Sequence, residues 1–326
     1  MKISSEWIPI RIYWQDNRPM VDWAFLGEKR FTDPFFIQTI NPCVRRPADV
    51  LFRHQTPLGE LREVAAAHPA VQPKGFIFHM SRCGSTLLSQ MLAAVPENIV
   101  LSEPGPIDEV LRAHFDHPTI TEEPRRQWLE WLVAALAWRR HPAEQNLFIK
   151  FDCWHVMFLP LIQEVFPGVP WIFLYREPLE VMASAQQQLG GQMIPGVLQP
   201  ELFGWSREAV AGMSLFEYTA RVLGKLCETA LVETRSGRGR LVNYRQLPTT
   251  IWPALVDYWK LDLTVEQMAH IQAVARLNAK NPVLPFEPDS EAKRNSASAE
   301  IRKFTRQWLE PVYQQLESQR WAAGFA

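Results

Sequence analysis

The sequence predicts an α/β fold in which helices flank a central parallel sheet on both faces, preceded by a small β-rich element. From residue 75 onward, short apolar runs typical of buried strands alternate with longer segments of helical periodicity, as in parallel sheets. Before residue 73, aromatic-rich runs are separated by turn signals and show no such alternation. We therefore divide the chain into a β-rich cap over residues 1–72 and an α/β domain over residues 73–326.

The N-terminal element is expected to consist of short strands. The runs WIPIRIYW, MVDWAFL and FFIQTI are apolar and aromatic, and the turn signals DNRP and TDP lie between them. The segment holds no polar cluster with catalytic spacing, which favours a cap or docking element.

The α/β part is predicted to begin with the strand GFIFHM and the helix STLLSQMLAAV. The strands NIVLSE, NLFIKF, PWIFLYR and RLVNY follow, with helices from EPRRQWLEWLVAALAWRR, HVMFLPLIQEVF and PLEVMASAQQQL between them and a long helix over 207–235. Gly and Pro cluster in 189–206, and the polar stretch 279–299 predicts a surface loop of the kind that often covers a binding site. Ligands of parallel sheets bind beyond the carboxyl ends of the strands, so the site is expected there.

The composition limits which kinds of binding partner and cellular location are expected. The 326 residues carry a net charge of −1, which gives no overall basic field for nucleic acid or an acidic membrane. The four cysteines are far apart and form no CxxC pair, which favours reduced thiols over a disulfide framework or a zinc site. The longest apolar stretch, WLVAALAW, is far shorter than the roughly 20 residues that span a bilayer. With no signal-peptide core in MKISSEWIPIRIYW, a cytoplasmic protein is expected.

The segment HMSRCGST predicts an anion-binding loop between a strand and a helix. The helix N-terminus attracts anions, and Gly84 lets the backbone approach one closely. Ser85 and Thr86 add hydroxyl donors and Arg82 a guanidinium, while the local positive potential is expected to lower the thiol pKa of Cys83. A triphosphate-binding loop carries a lysine after its last glycine, and this loop does not. It therefore suits a smaller charge such as a phosphosulfate; the alternative is a turn that holds no ligand.

A second motif, YREPLEVMAS, predicts another anion site. Arg176 ends a strand, Pro178 opens a helix, and Ser184 lies less than two turns into that helix, on the side that Arg176 faces. The pair is suited to clamp a phosphate monoester. The alternative is that Arg176 merely pairs with Glu177 or caps a carbonyl.

Together, SRCGSTLL and YREPLEVMAS resemble the sulfotransferase family, which uses 3′-phosphoadenosine 5′-phosphosulfate (PAPS), and the resemblance covers roughly residues 75–260. It implies a P-loop type of nucleotide-binding fold and metal-free transfer of a sulfuryl group to a hydroxyl or amine. It also implies that the first motif binds the 5′-phosphosulfate and the second the 3′-phosphate, with RLVNYRQLP near the nucleotide. The residues that it assigns to PAPS are Arg82, Cys83, Gly84, Ser85, Thr86, Arg176, Ser184 and Tyr244.

One family feature is missing from the sequence. Cytosolic members carry a glycine-rich basic segment near the C-terminus that closes over the nucleotide, and no such segment is present. The stretch 279–299, with Lys280, Lys293 and Arg294, either replaces it or is a solvated loop.

Transfer to an acceptor also needs a group that takes the acceptor's proton. Arg82, together with Lys150 at the end of NLFIK, is placed to stabilise charge on the departing phosphate oxygen. For the base there are three candidates, Glu103, Asp152 and His155. We choose Glu103, because it resembles the glutamate that protein-tyrosine and some bacterial carbohydrate sulfotransferases place after this strand.

Two other functions fit the same residues. In a kinase-like phosphotransferase, Asp152 would bind Mg²⁺ and HMSRCGST would be a degenerate triphosphate loop. In a non-catalytic scaffold, the aromatic N-terminal segment would be the working surface. We expect a small-molecule acceptor and no nucleic acid, whereas the sequence identifies neither the acceptor nor the oligomeric state.

Overall fold

An antiparallel sheet opens the chain. It consists of β1 (Trp7–Gln15), β2 (Arg18–Phe25) and β3 (His54–Pro57). Asp16 and Asn17 join the first two strands with φ angles of 50° and 61°, as a two-residue hairpin turn requires. The predicted β-rich start is thereby confirmed. The computed structural model describes residues 3–47, 51, 53–235, 237–248, 250–285 and 290–322.

The α/β part is built on a parallel sheet. Its strands are β4 (Pro73–His79), β5 (Asn98–Ser102), β6 (Asn146–Lys150), β7 (Trp171–Tyr175) and β8 (Gly239–Asn243). They lie in the order β5–β6–β4–β7–β8, and every neighbouring pair is parallel. The strand order therefore switches at β4, whose carboxyl end between β6 and β7 is where a ligand is expected. The predicted α/β fold is confirmed.

Helices flank this sheet and cover the N-terminal element. The first seven are α1 (Phe36–Val44), α2 (Leu61–Ala66), α3 (Ser85–Ala93), α4 (Gly105–Asp116), α5 (Glu122–Leu136), α6 (Leu159–Val165) and α7 (Pro178–Gln187). Those that follow are α8 (Arg207–Ala211), α9 (Leu215–Thr234), α10 (Trp252–Tyr258), α11 (Val265–Val274), α12 (Ser290–Ser296), α13 (Ala299–Phe304) and α14 (Glu310–Ala322). No helix in the described part of the chain is long and apolar enough to cross a membrane.

The run FFIQTI was predicted as a strand, and that prediction is wrong, because it forms the start of α1. The buried residues of α1 are Phe36, Thr39, Ile40 and Cys43, and this spacing places them on one face of a helix. The aromatic and β-branched residues suggested a strand, but burial at helical spacing decides the local structure.

Two longer predictions also need correction. The helix over 207–235 is interrupted, because Gly212 follows α8 and the Ser214 side chain then caps α9. The stretch 279–299 is not a plain loop: β9 (Leu277–Asn278) pairs with β10 (Asn281–Pro285), and α12 follows. Residues 286–289 of that stretch lie outside the described residues.

The N-terminal sheet packs against the α/β part. The Trp23 ring stacks on the Trp138 ring with 5.9 Å between centroids, and the Ile12 backbone N–H donates a hydrogen bond to the Glu109 carboxyl group of α4. Both tryptophans are buried, so the apolar core continues from one sheet to the other. All four cysteines are buried free thiols, as their spacing predicted.

Candidate active site

A cavity of about 480 Å³, here called the central cavity, opens at the carboxyl end of β4. The loop after β4, the ends of the neighbouring strands and the turn after β8 form its wall. Of the predicted site residues and base candidates, all except Lys150 and His155 line it: Arg82, Cys83, Gly84, Ser85, Thr86, Glu103, Asp152, Arg176, Ser184 and Tyr244. Residues that the sequence did not single out also line it, among them Phe35, Trp154, Gln192 and Asn278.

The loop before α3 has an unusual backbone. Ser81, Arg82 and Gly84 have φ angles of 76°, 53° and 87°, and such left-handed conformations at non-glycine residues tend to occur at functional sites. A Cβ atom on Gly84 would lie 2.7 Å from a ring carbon of Tyr244 and 2.9 Å from a methyl carbon of Leu247. Only glycine therefore fits at this point of the loop.

The donors at the start of α3 face the cavity. The hydroxyl groups of Ser85 and Thr86 form no hydrogen bond with any described residue, although both side chains are largely buried. Arg82 donates from Nη2 to the backbone carbonyl of Gln188 at 2.6 Å, which ties the loop to the end of α7. The α3 N-terminus thus presents unused donors to the cavity.

Cys83 does not behave as predicted. Its thiol is fully buried and donates a hydrogen bond to the Leu174 carbonyl at 3.2 Å. Burial raises the pKa of this thiol to about 12, because removal from water outweighs the cations nearby. The expected lowering of its pKa is wrong, and only the backbone of Cys83 is available to a ligand.

The second motif also forms part of the cavity wall. Arg176 donates from Nε to Glu180 Oε2 at 2.7 Å, and its guanidinium lies 4.1 Å from the Tyr244 ring centroid. Glu177, the alternative partner, instead accepts hydrogen bonds from the backbone at the start of α7. Ser184 lines the same cavity as Arg176, so both predicted clamp residues face one site.

Part of the basic stretch covers this wall. Ser290 donates to Glu180 Oε2 at 3.0 Å, and Arg294 donates to Glu180 Oε1 at 3.1 Å. Lys280 and Lys293 line the central cavity. These residues of the stretch therefore lie at the site.

Glu103 lies beside Lys150 and His79. Lys150 Nζ donates to Glu103 Oε1 at 2.6 Å, and His79 Nε2 lies 3.6 Å from the same oxygen. Burial alone would raise the pKa of Glu103, but Lys150 and His79 lower it to about 2. Glu103 is thus ionised at neutral pH, and its Oε2 atom has no hydrogen-bond partner among the described residues.

The position of Lys150 differs from the prediction. Its side chain is fully buried, paired with Glu103, and stacked 4.7 Å from the Phe35 ring centroid. It is not among the residues that line the central cavity, and its ammonium group pairs with Glu103.

Asp152 lies beside a buried polar network. His155 is fully buried; its Nε2 lies 2.9 Å from Asp108 Oδ1, and its Nδ1 accepts a hydrogen bond from the Asp152 backbone N–H at 3.3 Å. Asp108 also accepts from Trp154 Nε1 at 2.6 Å. His155 does not line the cavity, so of the three base candidates only Glu103 and Asp152 do.

Burial raises the pKa of Asp152 to about 7, because this carboxyl group loses its water and has Glu103 and Asp108 nearby. The folded protein therefore holds a proton here that the unfolded chain has lost, and ionising the group costs stability as pH rises toward 7. We expect Asp152→Asn to melt higher than the unchanged protein by a margin that widens from about pH 5 to about pH 8. Parallel melting-temperature curves over this range would contradict the raised pKa.

The described residues include no cluster of side chains that could bind a metal ion. No group of three or more His, Cys, Asp or Glu residues there is arranged to hold a metal ion.

The chain was compared with known proteins. It is similar to sulfotransferase STF9 from Mycobacterium avium, with 12% identity, 76% of this chain and 79% of that chain covered, and a TM-score of 0.42. It is similar to the sulfotransferase domain of the Synechococcus PCC 7002 olefin synthase, with 18% identity, 77% and 96% covered, and a TM-score of 0.42. It is also similar to retinol dehydratase in complex with retinol and PAP, with 12% identity, 80% of this chain and 89% of that chain covered, and a TM-score of 0.38. None of the curated proteins matches.

A family match covers the segment that contains both motifs. Residues 73–214 match the sulfotransferase family, and they include the loop before α3, Glu103, Asp152 and the segment from Arg176 to Ser184. Over residues 73–214, the chain is therefore similar to the sulfotransferase family.

Proposed function

We propose that this protein transfers a sulfuryl group from PAPS to a hydroxyl or amine group of a small-molecule acceptor. The observation that supports this most directly is the shared cavity, in which two separate sets of anion-binding groups flank an ionised carboxylate. We also retain the cytoplasmic location and the N-terminal cap over residues 1–72 as predictions.

The residues fit PAPS at both of its anionic ends. Unpaired hydroxyl groups, the α3 N-terminus and Arg82 suit the 5′-phosphosulfate, which carries less charge than a triphosphate and needs no loop lysine. Arg176 and Ser184 suit the 3′-phosphate, and the Tyr244 ring supports the Arg176 guanidinium. When bound, PAPS supplies an activated sulfuryl group.

Glu103 is the proposed base. Its free Oε2 atom takes the proton of the acceptor while the acceptor oxygen or nitrogen bonds to sulfur and the bond between sulfur and the 5′-phosphate oxygen breaks. That oxygen leaves with the bonding electron pair, and Arg82 stabilises its negative charge. Lys150 holds the Glu103 carboxylate in place through its other oxygen.

Asp152 and two aromatic rings form the rest of the acceptor end. Phe35 and Trp154 line the cavity together with Glu103 and Asp152. Because the pKa of Asp152 is raised to about 7, its carboxyl group is partly protonated at neutral pH and is able to donate a hydrogen bond to the acceptor. We infer that Asp152 orients the acceptor, while Glu103 takes its proton.

Thermal stability with nucleotides tests the proposal without knowledge of the acceptor. We expect adenosine 3′,5′-bisphosphate, the product left by PAPS, to raise the melting temperature, because it occupies both anion sites. ADP with Mg²⁺ is expected to give little change. Stabilisation by ADP and Mg²⁺ alone would favour a kinase-like enzyme, and stabilisation by the bisphosphate without transfer to any acceptor in a broad panel would favour a scaffold.

A further inference from the structure

The turn between β9 and β10 places one lysine at the mouth of the central cavity. Asn278 Oδ1 accepts hydrogen bonds from the backbone N–H groups of Lys280 and Asn281, at 3.0 and 3.2 Å. These bonds define the shape of the turn, and Asn278, Ala279 and Lys280 all line the cavity. Lys280 is thus presented to the site by a hairpin far along the chain from the loop before α3.

The Lys280 ammonium lies among other cations. No carboxylate or carbonyl of the described residues forms a hydrogen bond or ion pair with it. Its pKa is lowered, first by partial removal from water and then by the charges of Arg82, Lys150 and Lys293, which outweigh the opposite effect of Glu103. An anionic ligand that binds beside these cations would be stabilised by their charge.

Three other cations near the loop have partners within the protein. Arg82 donates to the Gln188 carbonyl, Lys150 pairs with Glu103, and Arg176 pairs with Glu180. Lys280 lines the same cavity as Arg82 and the first residues of α3. Its charge is therefore available to a ligand at this end of the cavity.

We propose that Lys280 supplies, from the β9–β10 hairpin, the ammonium group that the loop before α3 lacks, and that it binds the 5′-phosphosulfate of PAPS beside Arg82. The inference rests on the proposed function and extends it, because it assigns a charged contact from outside the family-matched segment. It also gives the β9–β10 hairpin a role in binding PAPS.

A pair of nucleotides tests this assignment by binding alone. Adenosine 3′,5′-bisphosphate carries a 5′-phosphate, and adenosine 3′-monophosphate does not. We expect Lys280→Ala to weaken binding of the bisphosphate by about 10- to 100-fold, the range for a charge-assisted hydrogen bond, and to leave binding of the monophosphate unchanged. Titration calorimetry on the full chain measures both affinities.

Matched variants separate the contact from general effects. Lys280→Arg should keep most of the bisphosphate affinity, and Lys303→Ala, which removes an exposed lysine of α13, should change neither affinity. Loss of the Lys280 charge should also make bisphosphate binding less sensitive to salt. Equal weakening of both nucleotides, or no weakening of either, would overturn the assignment to the 5′ end. If the unchanged protein binds neither nucleotide, the proposed function itself fails and this inference with it.

Discussion

Replacing Glu103 by glutamine is expected to lower the rate of sulfuryl transfer by about 10²- to 10⁴-fold, the usual contribution of a positioned general base. The amide keeps the shape of the side chain but has no carboxylate oxygen to take the acceptor's proton. Binding of adenosine 3′,5′-bisphosphate should stay unchanged, because Glu103 contacts neither proposed phosphate site. Turnover with an acceptor found by panel screening and calorimetry with the bisphosphate provide the two measurements.

The variant also leaves the buried Lys150 ammonium without its carboxylate, so some loss of stability is expected. Glu144→Gln is a suitable control, because Glu144 is a buried carboxylate that accepts backbone hydrogen bonds away from the cavity. It should lower the melting temperature without lowering turnover per folded molecule. Near-normal turnover in Glu103→Gln, combined with a large loss in Asp152→Asn, would transfer the role of base to Asp152.

Replacing Gly84 by alanine is expected to damage both stability and nucleotide binding. The left-handed backbone would cost a residue with a Cβ atom about 1–2 kcal/mol, and overpacking against Tyr244 and Leu247 typically adds about 1–3 kcal/mol. Because Tyr244 stacks on Arg176, its displacement would also disturb the second anion site. We expect a lower melting temperature and at least about a tenfold loss of bisphosphate affinity, the equivalent of 1.4 kcal/mol.

Gly59→Ala is the matched control for this substitution. A Cβ atom on Gly59 would meet no atom within 4 Å, and its φ angle is not positive. It should leave both melting temperature and affinity close to those of the unchanged protein. Normal bisphosphate binding by Gly84→Ala would show that the loop does not hold the 5′ end of the nucleotide.

The parallel sheet and the two anion-binding motifs could be predicted because each depends on local pattern. Apolar runs define the strands, and the order of small polar residues around Gly84 defines the loop. A helical face was also visible in FFIQTI, where Phe36, Thr39 and Ile40 are spaced for a helix, but residue type suggested a strand. Local spacing was the better guide there.

The partners of the charged residues could not be predicted, because they come from distant parts of the chain. Lys150 reaches Glu103 across neighbouring strands, and 47 residues separate Asp108 from His155. Such pairs are set by the order of strands in the sheet, which the sequence pattern did not provide. The Glu180 partner of Arg176 was the exception, since Glu180 follows Arg176 by only four residues in the sequence.

The walls of the central cavity extend well beyond the family-matched segment. Phe35 comes before residue 73, whereas Tyr244, Lys280 and Lys293 come after residue 214. A fragment trimmed to residues 73–214 would lose the edge strand β8 and leave β7 unpaired on one side, a common cause of aggregation. It would also lose the ring beneath Arg176 and the ring over Lys150. Protein production, ligand soaking and acceptor screening therefore call for the whole chain, because the two sequence motifs form only part of the central cavity.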